Sequence, residues 1–387
     1  MVRVLVIGAG PIGVETALAA ADRGHEVTVV ERGVVGSGLK AWGRTRFFSP
    51  FGMNVSRRLK AVLGAHAPPD DALLFGSEMA EHVLDRVVQS GFLAGPVQTH
   101  TEVVAVGRSR MTRRDRPGHP TRHRRPFQVL MESKGGESTL EADLVFDASG
   151  VSRRLAFGAG GIPVPGERKA SRFVVGTLGE LDDRLPRLAN RRVLLLGHGH
   201  SAACALERLA VISENSPQTR VTWAVRSISR HPVVAVADDP LPERARIVDQ
   251  ANALAHTPPP WLTVERKAHV EQVKSASDVV SVMLSGNRQA EYDTIAAFTG
   301  YRPDLTILDE LQVRISSVSE GADGIYRALS NVTDCLSVPS LSPSDLESGE
   351  PGFYLVGAKS YGRMSTFLLK NGIEQVETIL EREGGRR

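Results

Sequence analysis

The sequence predicts an α/β protein of two doubly wound units, with the second inserted into a discontinuous first. Two observations carry this reading. An apolar run, a glycine-rich turn, a helix-spaced segment and a second apolar run occur together twice, opening near residue 2 and again near residue 192. A late apolar run then leads the 387-residue chain through a glycine into a final helix, which returns it to the first unit. At about 100–200 residues per domain, the length suits such an arrangement.

The elements follow in order. Val2–Ile7 is a continuous apolar run, as expected for a strand covered on both faces. It meets Gly8-Ala9-Gly10-Pro11-Ile12-Gly13, and Val14–Asp22 then has helical spacing. Gly24-His25 ends the helix, and Glu26–Val30 reads as a strand ending at Glu31. This is a βαβ unit. A glycine-rich irregular stretch carries Trp42, Phe47, Phe48 and Phe51, and Ser77–Ser90 reads as an amphipathic helix. Strands are expected around Glu102–Val106 and Phe127–Glu132, and again at Leu144–Phe146, which runs into Asp147-Ala148-Ser149-Gly150.

Pro163–Pro186 reads as a linker. Arg192–Leu196 then repeats the apolar strand, followed by Gly197-His198-Gly199-His200-Ser201-Ala202-Ala203, a helix through Val211, and a strand Arg220–Val225 ending at Arg226. A strand near Ile295–Phe298 leads into Thr299–Asp304, and Phe353–Val356 passes through Gly357 into a helix near Thr366–Glu381. The expected boundaries are 1–180 with 295–387 for the first unit and 181–294 for the second.

Composition limits the function classes. Lys+Arg 47 against Asp+Glu 44 leaves +3, too near balance to argue for nucleic acid or a membrane surface as partner. No run of 18 or more apolar residues occurs, so no transmembrane helix is expected. Two cysteines, Cys204 and Cys335, form neither a disulfide scaffold nor a closely spaced redox pair. The default expectation is the cytoplasm. No metal site is expected: His198 and His200 neighbour a glycine turn without a second ligand cluster.

The glycine turns carry the chemistry. In the first, Gly8 permits the tight turn, Gly10 lets backbone approach a pyrophosphate, and Gly13 lets the helix pack close to the strand. Pro11 and Ile12 complete it, and the helix start offers N–H groups to phosphate. Glu31, with Arg32 beside it, stands where a carboxylate can accept ribose hydroxyls. The second turn, Gly197-x-Gly199-x-x-Ala202, has the tolerated Ala at its third position, with His200 and Ser201 opening the helix. Arg226 replaces the acid, and a guanidinium there matches a 2′-phosphate, favouring NADPH over NADH. Both units are thus Rossmann-like dinucleotide-binding domains.

Two such sites in one chain resemble the two-dinucleotide-binding-domain flavoproteins, a group that includes thioredoxin-reductase-like enzymes, flavin-containing monooxygenases and N-hydroxylating monooxygenases. The resemblance spans nearly the whole chain. It implies FAD in the first site and NAD(P)H in the second. It also implies that Ala148, Ser149 and Gly150 form a second FAD-facing turn, and that Val103 reads adenine through its backbone. Gly300 would lie in the turn leading back to the FAD domain, and Gly357 next to the flavin, with Ser365, Thr366 and Phe367 at a helix start near its pyrimidine. Trp42 and Arg46, in the segment after the first βαβ unit, are implied near the isoalloxazine ring; packing of an ordinary loop is the equal alternative.

Three departures narrow the activity. No cysteine pair serves the flavin, the FxGxxxHxxxY/W fingerprint is absent, and Ala358 stands where the group has an acid. The leading expectation is an NADPH-dependent monooxygenase using O₂ through a C4a-(hydro)peroxyflavin on a small-molecule amine or sulfur nucleophile, with no catalytic side chain assigned. The alternatives are an NAD(P)H:acceptor reductase or dehydrogenase/oxidase, and a non-enzymatic redox sensor. A homo-oligomer is left open. The segment Arg108–Arg125 carries eight arginines and is expected to be a solvated hairpin or mobile loop. Anion binding, in RNA contact or membrane docking, is its alternative reading, though no interleaved aromatics support base stacking.

Overall fold

The computed structural model describes residues 1–385. Contacts divide the chain into two compact units, one of Met1–Lys40, Ser49–Arg153 and Arg302–Arg387, the other of Ala41–Phe48 and Arg154–Tyr301. The chain therefore passes between units at four places. Residues 154–180 and 295–301, expected in the first unit, group with the second, and so does the short excursion 41–48.

The first unit holds a five-stranded parallel sheet in the order Phe353–Leu355, Leu144–Asp147, Arg3–Ile7, Glu26–Val30, Val97–Gln98. Its central strand is sealed on both faces, with Val4, Leu5 and Val6 all buried, which is why it reads as an unbroken apolar run. The helix Pro11–Asp22 follows it, with Pro11 at the first helical position, where a missing N–H costs nothing. The last helix, Leu369–Gly385, is tied to this first one by Glu377, which accepts from Arg23 and Arg58 at 2.7 Å each.

The second unit repeats the plan. Its parallel sheet runs Leu262–Glu265, Arg220–Ala224, Arg192–Leu196, Thr294–Ala297, Val174–Val175. Each unit also carries a three-stranded antiparallel meander: Thr101–Arg108, Phe127–Ser133 and Gly136–Ala142 in the first, Val270–Ser275, Val280–Leu284 and Arg288–Tyr292 in the second. Eighteen residues join the first two strands of the first meander, and four join those of the second.

The longer connection is not a solvated loop throughout, which corrects the expectation. Arg108 and Arg122 are buried on a single buried carboxylate, Glu350, at 2.8 and 2.9 Å. Arg108 also donates to the carbonyls of Arg125 and Pro351, and Arg122 to those of Thr112 and Asp115. The main-chain N–H of Gln312 completes the Glu350 oxygens at 2.9 Å. Four donor groups from three segments thus converge on one carboxylate and fix the connection at its two ends.

No helix among the described residues is long and apolar enough to cross a membrane. No group of three or more His, Cys, Asp or Glu among them is placed to hold a metal ion.

Candidate dinucleotide-binding sites

In the first unit, the turn after the central strand requires its glycines. Gly8 has φ +99°, and a Cβ on it would lie 2.9 Å from the Ala148 carbonyl oxygen. A Cβ on Gly13 would lie 1.9 Å from the Gly8 carbonyl oxygen, so the helix could not close on the strand. Gly10 differs: nothing lies within 4 Å of where its Cβ would be. The turn is tight at both ends and open in the middle, the shape needed for close approach by a pyrophosphate. The first turn of the helix supplies N–H groups without intrahelical partners.

Glu31 sits beside this turn. Its Oε2 accepts from the Ala9 N–H at 2.8 Å, and its Oε1 accepts from the Gly33 N–H at 2.7 Å and the Ser37 hydroxyl at 3.2 Å. These bonds fix the carboxylate while leaving Oε2 a further acceptor direction, as a ribose hydroxyl requires. Arg32 points elsewhere, into an exposed pair with Glu102 at 3.5 Å. The Thr101 N–H donates to the Glu31 carbonyl at 3.0 Å, which brings the start of the Thr101–Arg108 strand to the same edge, two residues before buried Val103.

Two more turns reach this place. A Cβ on Gly357 would touch Ile12 at 3.1 Å, and one on Gly372 would meet both Ile12 at 2.6 Å and the Phe367 ring at 3.2 Å. The structure thus gathers Gly8, Ile12, Gly13, Glu31, Ala148, Gly357 and Phe367. Gly150 has φ +71° and open space around it. Thr366 is buried, and its hydroxyl has no hydrogen-bond partner among the described residues. A buried hydroxyl without a partner is costly, and here it lies one residue from Phe367. Ser365 is exposed.

Sequence reading missed what joins these turns. Lys359 and Asp147 form a buried ion pair at 3.0 Å. Lys359 Nζ also donates to Ser149 Oγ at 2.9 Å and to the Asp304 carbonyl, and Asp147 Oδ1 accepts from the Ser149 hydroxyl at 2.6 Å. An aspartate ending an apolar strand was the available signal, but its partner is 212 positions away in the sequence.

In the second unit, Gly197 has φ +111°, and a Cβ on it would lie 2.2 Å from the Phe298 carbonyl oxygen. Trp223 Nε1 donates to the Gly197 carbonyl at 2.7 Å and fixes the turn. Gly199 caps the helix His200–Asn215 and has open space where a Cβ would be. Ser201 follows in the first helical turn, and Ala202 is fully buried against the sheet. Arg226 and Arg230 are exposed beyond the second strand. Burial first, and Arg226 second, hold the His198 imidazole below its usual range; burial and Arg244 do the same for His200. Both rings are therefore neutral near pH 7. The Leu155 N–H donates to the Gly300 carbonyl at 2.8 Å, in this unit.

Trp42 and Arg46 also belong to this unit. The Trp42 and Phe47 rings pack 4.9 Å apart, and Phe48 meets the His200 ring edge-on at 5.6 Å. Arg208 bridges Asp182 at 2.6 Å and the Thr45 hydroxyl at 2.9 Å, while Asp182 accepts from the Arg44 N–H at 2.7 Å. Arg46 lies near Glu243 at the start of the Pro242–His256 helix. The aromatic segment is thus bolted to the second nucleotide turn's own unit.

Residues 5–112 match the family model described as pyridine nucleotide-disulphide oxidoreductase. No curated protein matches the sequence. Among solved structures, the bacillithiol disulfide reductase Bdr (YpdA) from Bacillus cereus is 18% identical with TM-score 0.74, covering 100% of this chain and 99% of that one. Ornithine N-hydroxylase KtzI from Kutzneria sp. 744 is 20% identical with TM-score 0.65, covering 100% and 99%. Thioredoxin reductase from T. acidophilum is 15% identical with TM-score 0.62, covering 99% of each chain. Along its whole length, the chain has the fold of the two-domain FAD/NAD(P)-binding oxidoreductases.

Proposed function

We propose that the chain is an FAD-dependent NADPH oxidoreductase, and specifically a monooxygenase that oxygenates a small-molecule amine or sulfur nucleophile. The observation that carries the reading is the pair of open glycine turns, each backed by a helix start, in a chain whose two cysteines lie in separate units. KtzI, of the same fold, is an ornithine N-hydroxylase whose structure carries FAD, NADP+ and L-ornithine. The disulfide reductases of this fold are the other precedent, but Cys204 and Cys335 are not a closely spaced redox pair.

FAD, when bound, accepts a hydride from NADPH and passes the electron pair on. The balance is substrate, O₂, NADPH and one proton giving oxygenated substrate, NADP+ and water. This chain's own residues bind and orient. Gly10 and the Pro11–Asp22 helix start would take the FAD pyrophosphate, Glu31 the adenosine ribose, and the Asp147–Gly150 and Gly357–Tyr361 turns would wall the flavin end. Thr366 would satisfy its hydroxyl on the flavin pyrimidine. Gly199, His200 and Ser201 would take the NADPH pyrophosphate, with Arg226 on the 2′-phosphate.

The test is the absorption spectrum of the purified protein, NADPH titration under argon, then O₂ and NADPH stoichiometry with amines and thioethers. One oxygenated product per NADPH supports the reading. A colourless protein that takes up no flavin overturns it entirely. Undiminished product formation without O₂, using an artificial electron acceptor, favours the second reading, an NAD(P)H:acceptor reductase, which the absent FxGxxxHxxxY/W fingerprint supports.

A further inference from the structure

We propose that the arginine-rich connection of the first meander is a docking surface for an acidic protein. It shares no residue with either nucleotide turn and does not depend on what they bind.

The two units supply an internal comparison. The same hairpin is closed by four residues in the second unit and by eighteen in the first, so the additional length is not needed to turn the chain. Those residues are also unlike the rest of the protein. Arg108–Arg125 holds eight arginines, no lysine and one acid, Asp115, a charge of +7. With +3 for the whole chain, everything outside this segment carries −4. The positive charge is therefore segregated onto one connection of an otherwise acidic molecule.

The segment is also held in place. Burying two guanidiniums and a carboxylate is expensive, and a simple solvated loop has no need of it. Here Arg108, Arg122 and Glu350 are buried together and pin both ends of the connection. Between and beyond these anchors, Arg110, Arg114, Arg116, Arg124 and Arg125 are exposed, and none forms an ion pair among the described residues. Arg110 and Arg116 have φ +58° and +47°, so the presenting backbone is itself shaped into tight turns. A fixed scaffold displaying five unpaired planar forks loses little side-chain freedom per bond formed with carboxylates.

Charge and composition choose among anionic partners. The usual platforms for stacked bases are Phe, Tyr and Trp, and the segment has none of these. Membrane docking by a polybasic segment is reinforced by apolar insertion, and no large apolar side chain here is exposed. The net negative remainder of the chain also opposes approach to a broad anionic bilayer.

The experiment compares the full-length protein with two sets of variants at the same five positions, Arg→Gln and Arg→Lys. The probes are poly-L-glutamate, a single-stranded oligodeoxynucleotide and phosphatidylserine vesicles, at about 150 mM salt. Flavin content and the thermal melt are followed in parallel and are expected to stay unchanged, because these side chains make no hydrogen bond or ion pair among the described residues. Poly-L-glutamate is expected to bind the native protein best, at least about tenfold more weakly the Gln set, and with intermediate strength the Lys set, which keeps charge but loses the fork. Equal binding by the Lys set, preference for DNA or vesicles, or no binding of poly-L-glutamate overturns the proposal.

Discussion

Lys359 Nζ and Asp147 Oδ2 lie 3.0 Å apart, sealed from solvent, and link the turn that ends one parallel strand to the turn that follows its neighbour. Removing one partner strands the other charge in the interior, which typically costs about 3–5 kcal/mol. Lys359→Met is therefore expected to lose about that much stability in a denaturant titration. Asp147→Asn added to it should recover part of the loss, since the amide oxygen can still accept from Ser149. Loss of flavin retention should accompany the single variant, because both turns border the candidate flavin site.

The glycines of the first turn separate fold from binding. Gly13→Ala places a methyl group 1.9 Å from the Gly8 carbonyl oxygen and is expected to lower the melting temperature sharply. Gly10→Ala meets nothing within 4 Å and should leave the melt of the flavin-free protein unchanged. It should still cut FAD affinity by at least about tenfold, since the methyl occupies the space a pyrophosphate needs. Equal stability loss in both variants would contradict an open phosphate cradle.

These turns were legible in the sequence because their causes are local. Gly8, Gly10, Gly13 and Glu31 lie within one strand–helix–strand passage, and the apolar runs on either side report burial directly. The Arg108–Arg125 anchor was not legible. Its carboxylate, Glu350, is 228 residues from Arg122, and an arginine aimed inward has the same letter as one aimed at water. The segment 41–48 misled for a related reason. Its aromatics signalled burial, but which unit buries them is decided by Asp182 and Arg208, far along the chain.

Cysteine chemistry gives a third test. Burial pushes the Cys204 thiol up to about 11, so about one molecule in a thousand carries the thiolate at pH 8. Cys335 is half-buried on a short helical turn. Iodoacetamide is expected to modify Cys335 in the native protein and Cys204 only after unfolding, as peptide mass mapping would read. Cys204→Ser and Cys335→Ser should each keep NADPH oxidation within about twofold. Loss of turnover on labelling would restore thiol chemistry to the reading.

Glu350 gives the acid response of the first unit. Burial pushes its carboxyl up, but hydrogen bonds from Arg122 and Arg108 and the Gln312 N–H outweigh this and hold it below the usual carboxylate range. A carboxyl depressed in the folded state stabilises the fold above its unfolded value, about 4.3, and loses that contribution as pH falls through the folded value. Glu350→Gln removes the charge at every pH and leaves two buried guanidiniums without a counter-ion, an expected loss of about 3–5 kcal/mol near neutrality. The gap in unfolding free energy between native protein and variant should therefore be full near pH 7 and shrink below about pH 4. The released connection should also become a fast trypsin site in the variant, cut between Arg108 and Arg125 before the rest of the chain. A gap that stays constant down to about pH 3 would mean that Glu350 is not held ionised by its two arginines.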